Sequence, residues 1–275
     1  IARFVYVSSS EVYGTAERAP MDETHPTNPT TVYGASKLAG EHCALAFRRC
    51  YDVPAVVVRP FNAYGPRCHH EGDSGEVIPR FLLNALAGRA PVIFGDGAQT
   101  RDFTHVSDTA RGILAAGEAP LFDGPVNLGS GREIAVADLA SLIARVAGRP
   151  ELRARHDAPR PGDVRRLYAD ARLARRLLGF VPRVALEEGI AALRDWYRST
   201  GHSPAALLAE VVAGWREVGA GRAAEWRLPS TAAIVQARRR AGARLLRELF
   251  QAVAGPVATA ATPGAFLVDR RLLAV

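Results

Sequence analysis

The sequence predicts an α/β fold built on a buried parallel β-sheet. Residues 3–7 (RFVYV) are β-branched and aromatic, and residues 53–60 (VPAVVVRP) form a short apolar strand. Between them, residues 31–50 have the apolar spacing of one long helix, which begins after the breakers Pro26 and Pro29. A strand, a helix and an apolar strand at this spacing are typical of a βαβ unit with buried parallel strands.

Further elements follow along the chain, and glycines mark the ends of several of them. The sequence predicts a helix over 76–88 that stops at Gly88, a strand over 91–97, a helix near 107–118, a strand over 125–130 and a helix over 136–148. Two more helices are expected over 170–179, N-capped by Asp170 and ended by Gly179, and over 186–201. We therefore expect one domain over 1–199. The appended segment over 200–275 is mainly helical by pattern, with a strand at 265–275, and carries no recognisable chemistry.

Length and composition indicate an ordinary globular protein. The 275 residues are 48% hydrophobic and 23% charged, which is enough to bury a sizeable core. No run of about 18 apolar residues is present, and the first residues lack a signal-peptide pattern. We expect a soluble, cytoplasmic protein with no membrane partner.

Charge and cysteine content exclude two further classes of function. Residues 1–199 carry 25 basic and 23 acidic side chains, and residues 200–275 carry 10 and 5, so the excess of +7 lies mostly in the second segment. The run Arg238–Arg240 has no aromatic stacking platform beside it, so we expect no nucleic-acid partner. Cys43, Cys50 and Cys68 have no metal-ligand spacing and are expected to be buried free thiols, with no metal site.

Lysine usage points to a reaction centre. Of 35 lysine and arginine residues, Lys37 is the only lysine, and it follows Tyr33 by four positions. Residues four apart share a helix face, so the ammonium can lie beside the phenol. A phenol with a pKa near 10 is a poor base at neutral pH, and a nearby cation favours the phenolate. A compact ammonium with three donors suits this task better than a planar guanidinium.

Six motifs in order carry a resemblance that covers about residues 1–199. They are VYVSSSEVYG, YGASKLAGE, VRPFNAYGPR, FGDGAQTRDFTHVSD, NLGSG and RPGDVRR. This set resembles the extended short-chain dehydrogenase/reductases, specifically the NAD-dependent nucleotide-sugar epimerases and dehydratases. The resemblance implies the carboxyl-terminal half of a Rossmann-like sheet, a smaller substrate-binding lobe and, beyond them, a helical extension.

The resemblance also implies roles for named residues. Tyr33 would take the proton of the sugar 4-hydroxyl, Lys37 would lower the phenol pKa and hold the nicotinamide ribose of NAD, and Ser9 would hydrogen-bond the reacting oxygen. Ser9 can instead be a helix cap, as serines after strands often are. The remaining implied positions are Pro60 and Phe61 beside the nicotinamide, Asn62 beside the substrate diphosphate, Arg101 and Arg160 as the diphosphate clamp, Asp163 on the nucleoside ribose, and Val92 and Phe94 around the base.

One family feature is missing from the sequence. No glycine-rich GxxGxxG turn for the cofactor diphosphate is present, and the GSG at 129–131 has the wrong following pattern. Roughly the first 110 residues implied by the resemblance are absent, so we expect a fragment of the complete enzyme. Family members dimerise through the helix that carries Tyr33 and Lys37 in this chain and through a helix that precedes it. The preceding helix is absent from this sequence, so a homodimer is expected of the complete protein only.

Ser10 and Glu11 give a divided signal about the branch of the family, because the resemblance also includes GDP-mannose dehydratases and UDP-glucuronate decarboxylases with a Ser-Glu pair. An epimerase needs the base, the serine and a roomy pocket, whereas a 4,6-dehydratase also needs an acid and a base beside C5 and C6. Dehydratases of dTDP-glucose resemble one another in carrying Asp where this chain has Ser10, with Glu11 in their second carboxylate position. A UDP-glucose 4-epimerase-like activity is the favoured prediction. Nucleotide-sugar 4,6-dehydratase, UDP-glucuronate decarboxylase and a non-catalytic remnant or binding module remain alternatives.

Overall fold

A computed structural model describes residues 2–68, 76–159 and 163–208, together with three short strands between 254 and 274. The strands are β1 (Phe4–Val7), β2 (Ala55–Pro60), β3 (Ala63–Tyr64), β4 (Val92–Phe94), β5 (Thr100–Asp102), β6 (Thr104–His105), β7 (Pro125–Leu128), β8 (Glu133–Ala135), β9 (Arg155–Asp157), β10 (Arg166–Leu167), β11 (Ala254–Pro256), β12 (Phe266–Val268) and β13 (Leu273–Ala274). The helices are α1 (Val32–Tyr51), α2 (Val77–Leu86), α3 (Val106–Glu118), α4 (Val136–Val146), α5 (Arg172–Leu178) and α6 (Leu186–Ser199), and a 3-10 turn spans Ser10–Val12. Within the described residues, no helix is long and apolar enough to cross a membrane.

The main sheet has the strand order β13-β1-β2-β7, and all neighbours are parallel. Val5 lies opposite Val56 and Val58 opposite Val126, so these side chains share one face. They form a buried cluster with Phe180 and with side chains from α3 and α5. The predicted βαβ unit over β1, α1 and β2 is confirmed by this parallel pairing.

A second hydrophobic cluster lies where α2, α4 and α6 meet. Leu82 of α2, Leu139 and Ile143 of α4, and Ile190 and Leu193 of α6 are fully buried in it. Small sheets border this cluster: β4 pairs parallel with β9, and β5 pairs with β10 and β8. The described chain therefore has a sheet-based core and a separate helical core.

A buried ion pair seats α1 on the sheet. Glu41 of α1 accepts two hydrogen bonds from Arg59 of β2, at 2.8 Å from Nε and 2.6 Å from Nη2, and both side chains are at most 5% exposed. The Arg59 guanidinium also lies 4.7 Å from the centre of the Tyr13 ring. Gly40 completes the contact, because a Cβ there would collide with the hydroxyl of Tyr6, which donates to the Lys37 carbonyl at 3.2 Å. These contacts fix the rotation of α1 about its axis.

The structure corrects two local predictions. Cys43 and Cys50 are exposed rather than buried, because they lie on the side of α1 opposite Gly34 and Glu41. Asp170 is not the N-cap residue of α5, because the N-cap is Ala171, one position later. The Asp170 carboxylate still accepts a hydrogen bond from the Arg172 amide at 2.9 Å. Cys68 is half-buried. The appended segment over 200–275, predicted to be mainly helical, lies mostly outside the described residues. Residues 204–208 are helical, and β12 falls within the strand predicted at 265–275.

Replacing Arg59 by Met should lower the free energy of unfolding by about 3 kcal/mol or more, because Glu41 would keep a buried carboxylate without its partner. The matched control is Arg18→Met, which removes an exposed ion pair with Asp22 and should cost less than about 1 kcal/mol. Urea unfolding of the two variants measures both values. Equal losses would contradict the role given to the buried pair.

Candidate active site

The carboxyl end of β1 leads into a tight serine-rich turn. The Ser8 amide donates to the Val58 carbonyl at 2.8 Å, which keeps the chain on the sheet to this point. Ser9 then caps the 3-10 turn, since its Oγ accepts from the Glu11 amide at 3.2 Å. As an acceptor in this bond, the Ser9 hydroxyl retains its own proton to donate to another oxygen. The capping role and a catalytic role are therefore compatible.

Tyr33 and Lys37 lie in the first turns of α1. The helix begins after Thr31, whose Oγ1 accepts from the Gly34 amide at 3.0 Å. Lys37 Nζ donates to the Val7 carbonyl at 3.0 Å and lies 5.9 Å from the centre of the Tyr33 ring. The phenol ring is 53% exposed and thus accessible to a ligand.

Gly34 allows the turn and the helix to approach closely. A Cβ at this position would lie 2.6 Å from the Glu11 carbonyl oxygen, so only glycine fits without a backbone shift. The Thr31 hydroxyl also donates to the Glu11 carboxylate at 3.3 Å. The structure thereby brings together near the end of β1 all five predicted catalytic residues, namely Ser9, Ser10, Glu11, Tyr33 and Lys37.

A separate cavity of about 200 Å³ lies between α2 and β4. Four of the predicted substrate-binding residues line it: Val92, Phe94, Arg101 and Asp163. Arg101 is held firmly, with Nη2 donating to Asp163 Oδ1 at 2.5 Å and Nη1 to the Thr100 carbonyl at 2.9 Å. Its side chain is 13% exposed, so a pre-oriented guanidinium lies at the cavity wall.

The other predicted binding residues lie elsewhere. Asn62 donates through Nδ2 to the Asp102 carbonyl at 3.0 Å and does not line the cavity. Phe61 is fully buried beside Tyr13, its backbone included, and Pro60 ends β2 half-buried. Arg160 lies outside the described residues.

Comparisons with known proteins identify the family. Residues 1–193 match the family described as GDP-mannose 4,6 dehydratase. The chain belongs to this family. It is therefore a member of the NAD-dependent nucleotide-sugar epimerases and dehydratases, and the resemblance carried by the six motifs is confirmed.

Individual relatives have different activities. The chain is 38% identical over 205 residues to a putative UDP-glucose 4-epimerase of Methanocaldococcus jannaschii, covering 74% of this chain and 65% of that protein. It is 37% identical over 202 residues to a dTDP-glucose 4,6-dehydratase of Streptomyces niveus, covering 72% and 58%. A crystal structure of UDP-glucuronic acid 4-epimerase from Bacillus cereus with UDP-glucuronic acid and NAD matches at a TM-score of 0.67 and 30% identity, covering 72% and 62%.

These matches confirm the predicted Rossmann-like α/β fold for this member of the epimerase/dehydratase family. The chain spans less than two thirds of the length of each of these three relatives. The relatives establish the family and leave the specific activity open.

The motifs did not identify three polar residues that line the cavity. Arg80 and Asn84 lie one turn apart on α2, and Gln99 precedes β5. The Asn84 Nδ2 donates to the Arg80 carbonyl at 2.8 Å and the Gln99 Nε2 donates to the Phe94 carbonyl at 2.8 Å, which leaves both amide oxygens as acceptors. Two polar residues at this spacing in an otherwise apolar helix were the available sequence signal.

A buried polar network surrounds Tyr13 and Asn127. Tyr13 Oη donates to Asn127 Oδ1 at 2.7 Å, and Asn127 Nδ2 donates to the Met21 carbonyl at 3.0 Å. The Asn127 amide donates to Glu23 Oε1 at 2.8 Å. Burial raises the pKa of Tyr13 to about 12, although the Arg59 guanidinium opposes the shift. Burial also raises the pKa of Glu23.

The raised pKa of Tyr13 predicts a loss of stability in alkali. An unfolded tyrosine ionises near pH 10, whereas folded Tyr13 ionises at about 12, so the unfolded state loses its proton first. The stabilisation is complete below pH 10 and is lost as the pH rises through 12, by about 2 to 3 kcal/mol. Unfolding free energies of wild type and Tyr13→Phe should converge over this range. A constant difference between them would contradict the prediction.

Proposed function

We propose that this chain supplies the substrate side of an NAD-dependent nucleotide-sugar 4-epimerase, similar to UDP-glucose 4-epimerase, that works through a transient 4-keto sugar. Family membership supports the chemistry, and the cluster at the end of β1 supports the residue roles. The observation that favours epimerisation over dehydration is the environment of Ser10 and Glu11.

A dehydratase needs an acid and a base beside C5 and C6 of the sugar. Ser10 has no acidic proton at neutral pH, and it is only 2% exposed. The Glu11 carboxylate is engaged by the Thr31 hydroxyl at the cap of α1. Ser10 therefore supplies neither of the two added groups and Glu11 is the one carboxylate of this turn, whereas the epimerase set of Tyr33, Lys37 and Ser9 is complete.

Tyr33 takes the proton of the 4-hydroxyl, because its exposed phenol lies on the same helix face as a fixed cation. Ser9 donates its free proton to the same oxygen. Lys37 uses one donor on the Val7 carbonyl, so two remain for hydroxyls of a ribose. This donor set fits the nicotinamide-ribose half of NAD, which would supply the hydride acceptor.

The cavity between α2 and β4 is proposed to hold the nucleotide half of the substrate. The fork of Arg101 suits a diphosphate, with Arg160 as its expected partner, and Asp163 lies beside it for the ribose. Val92 and Phe94 supply an apolar wall for the base. The carboxylate of Asp163 bonds Arg101 in the described structure, so binding of the ribose would share or replace this contact.

Two other functions remain candidates. Glu11 is the observation that favours a 4,6-dehydratase or decarboxylase, because a carboxylate occupies a position that those enzymes use. A non-catalytic binding module is the other candidate, and a test for turnover decides it. A homodimer is proposed for the complete protein alone.

Product analysis separates these functions. In a version of the protein that includes a glycine-rich NAD-binding half, incubation with UDP-glucose should yield UDP-galactose, detected by proton NMR. Tyr33→Phe should abolish the product, because phenylalanine has no hydroxyl to accept the proton of the sugar. A 4-keto-6-deoxy sugar as the product would replace the epimerase proposal with the dehydratase one, and no turnover would favour the binding module.

Replacing Lys37 by Arg should reduce turnover at pH 7 by about tenfold or more and move the rate optimum to higher pH. The planar guanidinium keeps the charge but cannot occupy the same place beside the phenol, so it stabilises the phenolate less well than the compact ammonium does. The pH dependence of UDP-glucose turnover measures the shift, with NAD content determined for each variant. Arg49→Lys on the exposed side of α1 is the matched control and should leave the profile unchanged. An unchanged profile in Lys37→Arg would remove the basis for assigning a special role to the single lysine.

A further inference from the structure

A second cleft, here called the arginine cleft, lies apart from the candidate active site. It is formed by the loop after β7, the helix α5 and the segment 180–185, and has a volume of about 400 Å³. Four arginines line it, namely Arg132, Arg172, Arg175 and Arg183. It shares no lining residue with the cavity between α2 and β4.

The positive charge of this cleft is only partly compensated. Arg172 is paired with Asp170, at 2.8 Å from Nε and 2.5 Å from Nη2 to the same carboxylate oxygen. Among the described residues, no ion pair involves Arg132, Arg175 or Arg183. Three guanidinium groups with fifteen N–H donors between them thus border one concavity without a carboxylate of their own.

Two buried aspartates hold the backbone of the cleft in place. Asp102 Oδ1 accepts from the Ser130 amide at 2.8 Å, and Oδ2 accepts from the Gly131 amide at 2.9 Å, which orders the loop that carries Arg132. Asp108 Oδ2 accepts from the amides of Arg183 at 2.9 Å and Val184 at 3.0 Å. Both carboxylates are fully buried, so opposite walls of the cleft are anchored to one rigid segment. Pre-organised walls reduce the entropy lost when a ligand binds.

The cleft is apolar between its charges. Phe180 is buried in the sheet core beneath it, and Val181 is 42% exposed at its wall. Guanidinium donors beside an apolar wall match a ligand with an anionic group and an apolar body. Arginine forks favour phosphate oxygens, which accept two parallel hydrogen bonds.

We propose that the arginine cleft is a binding site for a small phosphate ester, distinct from the substrate site and outside the function proposed above. The ester phosphate lies between Arg132, Arg175 and Arg183, and its organic part lies against Val181. Residues 200–275 are the less suitable occupant by charge, because they carry 10 basic and 5 acidic side chains.

Titration calorimetry of the 275-residue chain with inorganic phosphate and with phenyl phosphate tests this assignment. Phenyl phosphate should bind more tightly than inorganic phosphate, because only the ester can cover Val181. Arg175→Gln should weaken binding of both anions about tenfold, the effect of losing one charge-assisted hydrogen bond. Val181→Ser should weaken binding of the ester alone.

Neighbouring arginines supply the controls. Arg176 follows Arg175 on α5, is exposed and does not line the cleft, so Arg176→Gln should leave both affinities unchanged. Arg101→Gln, in the other cavity, reports any anion that binds at the proposed diphosphate site instead of the arginine cleft. Equal losses in Arg175→Gln and Arg176→Gln would show attraction to a basic surface only, and a loss confined to Arg101→Gln would place the anion in the substrate cavity. Either result, or no binding to wild type, overturns the proposal.

Discussion

The bidentate ion pair between Glu41 and Arg59 is the constraint on which the proposed reaction centre depends. Glu41 follows Lys37 by one helical turn, and Arg59 lies on the central strand next to β1. Burying two charges is costly, and such pairs contribute little net stability compared with a well-packed apolar pair. Their geometric demand is strict, however, because both oxygens of Glu41 must meet both donors of Arg59. The pair therefore orients α1 so that the lysine ammonium rests on the Val7 carbonyl beside the Tyr33 phenol.

The segment 101–108 (RDFTHVSD) contacts both the cavity between α2 and β4 and the backbone of the arginine cleft. Arg101 faces the cavity between α2 and β4, while the next side chain, Asp102, points to the opposite side of the strand, as alternation requires. The Asp102 carboxylate accepts hydrogen bonds from the amides of Ser130, Gly131 and Ala169, and the Asp102 carbonyl accepts one from the Asn62 side chain. Burial raises the pKa of Asp102, and these donors act against that shift by favouring the carboxylate. A single short strand thus connects the proposed nucleotide site to the arginine cleft.

The use of arginine and lysine in this chain follows the geometry of each site. Arg59 and Arg101 make paired or multiple contacts that a planar fork supports and an ammonium does not. At position 37 the requirement is different, because a compact charge must fit between a strand end and a phenol. The chain has its only lysine at that position.

Local sequence patterns determined the elements that depend on short-range chemistry. They predicted the β1-α1-β2 unit, the shared face of Tyr33 and Lys37, and, through family motifs, four residues of one cavity, since periodicity and motif spacing act over a few residues. Only the tertiary structure decided that Cys43 and Cys50 are exposed, that Phe61 is buried, that Asn84 and Gln99 join the cavity, and that Glu41 meets Arg59. Each of these outcomes depends on which distant segment packs against a given face, and no local pattern encodes that choice. The arginine cleft is a further case, because the buried carboxylates of Asp102 and Asp108 hold its backbone from positions distant in the chain.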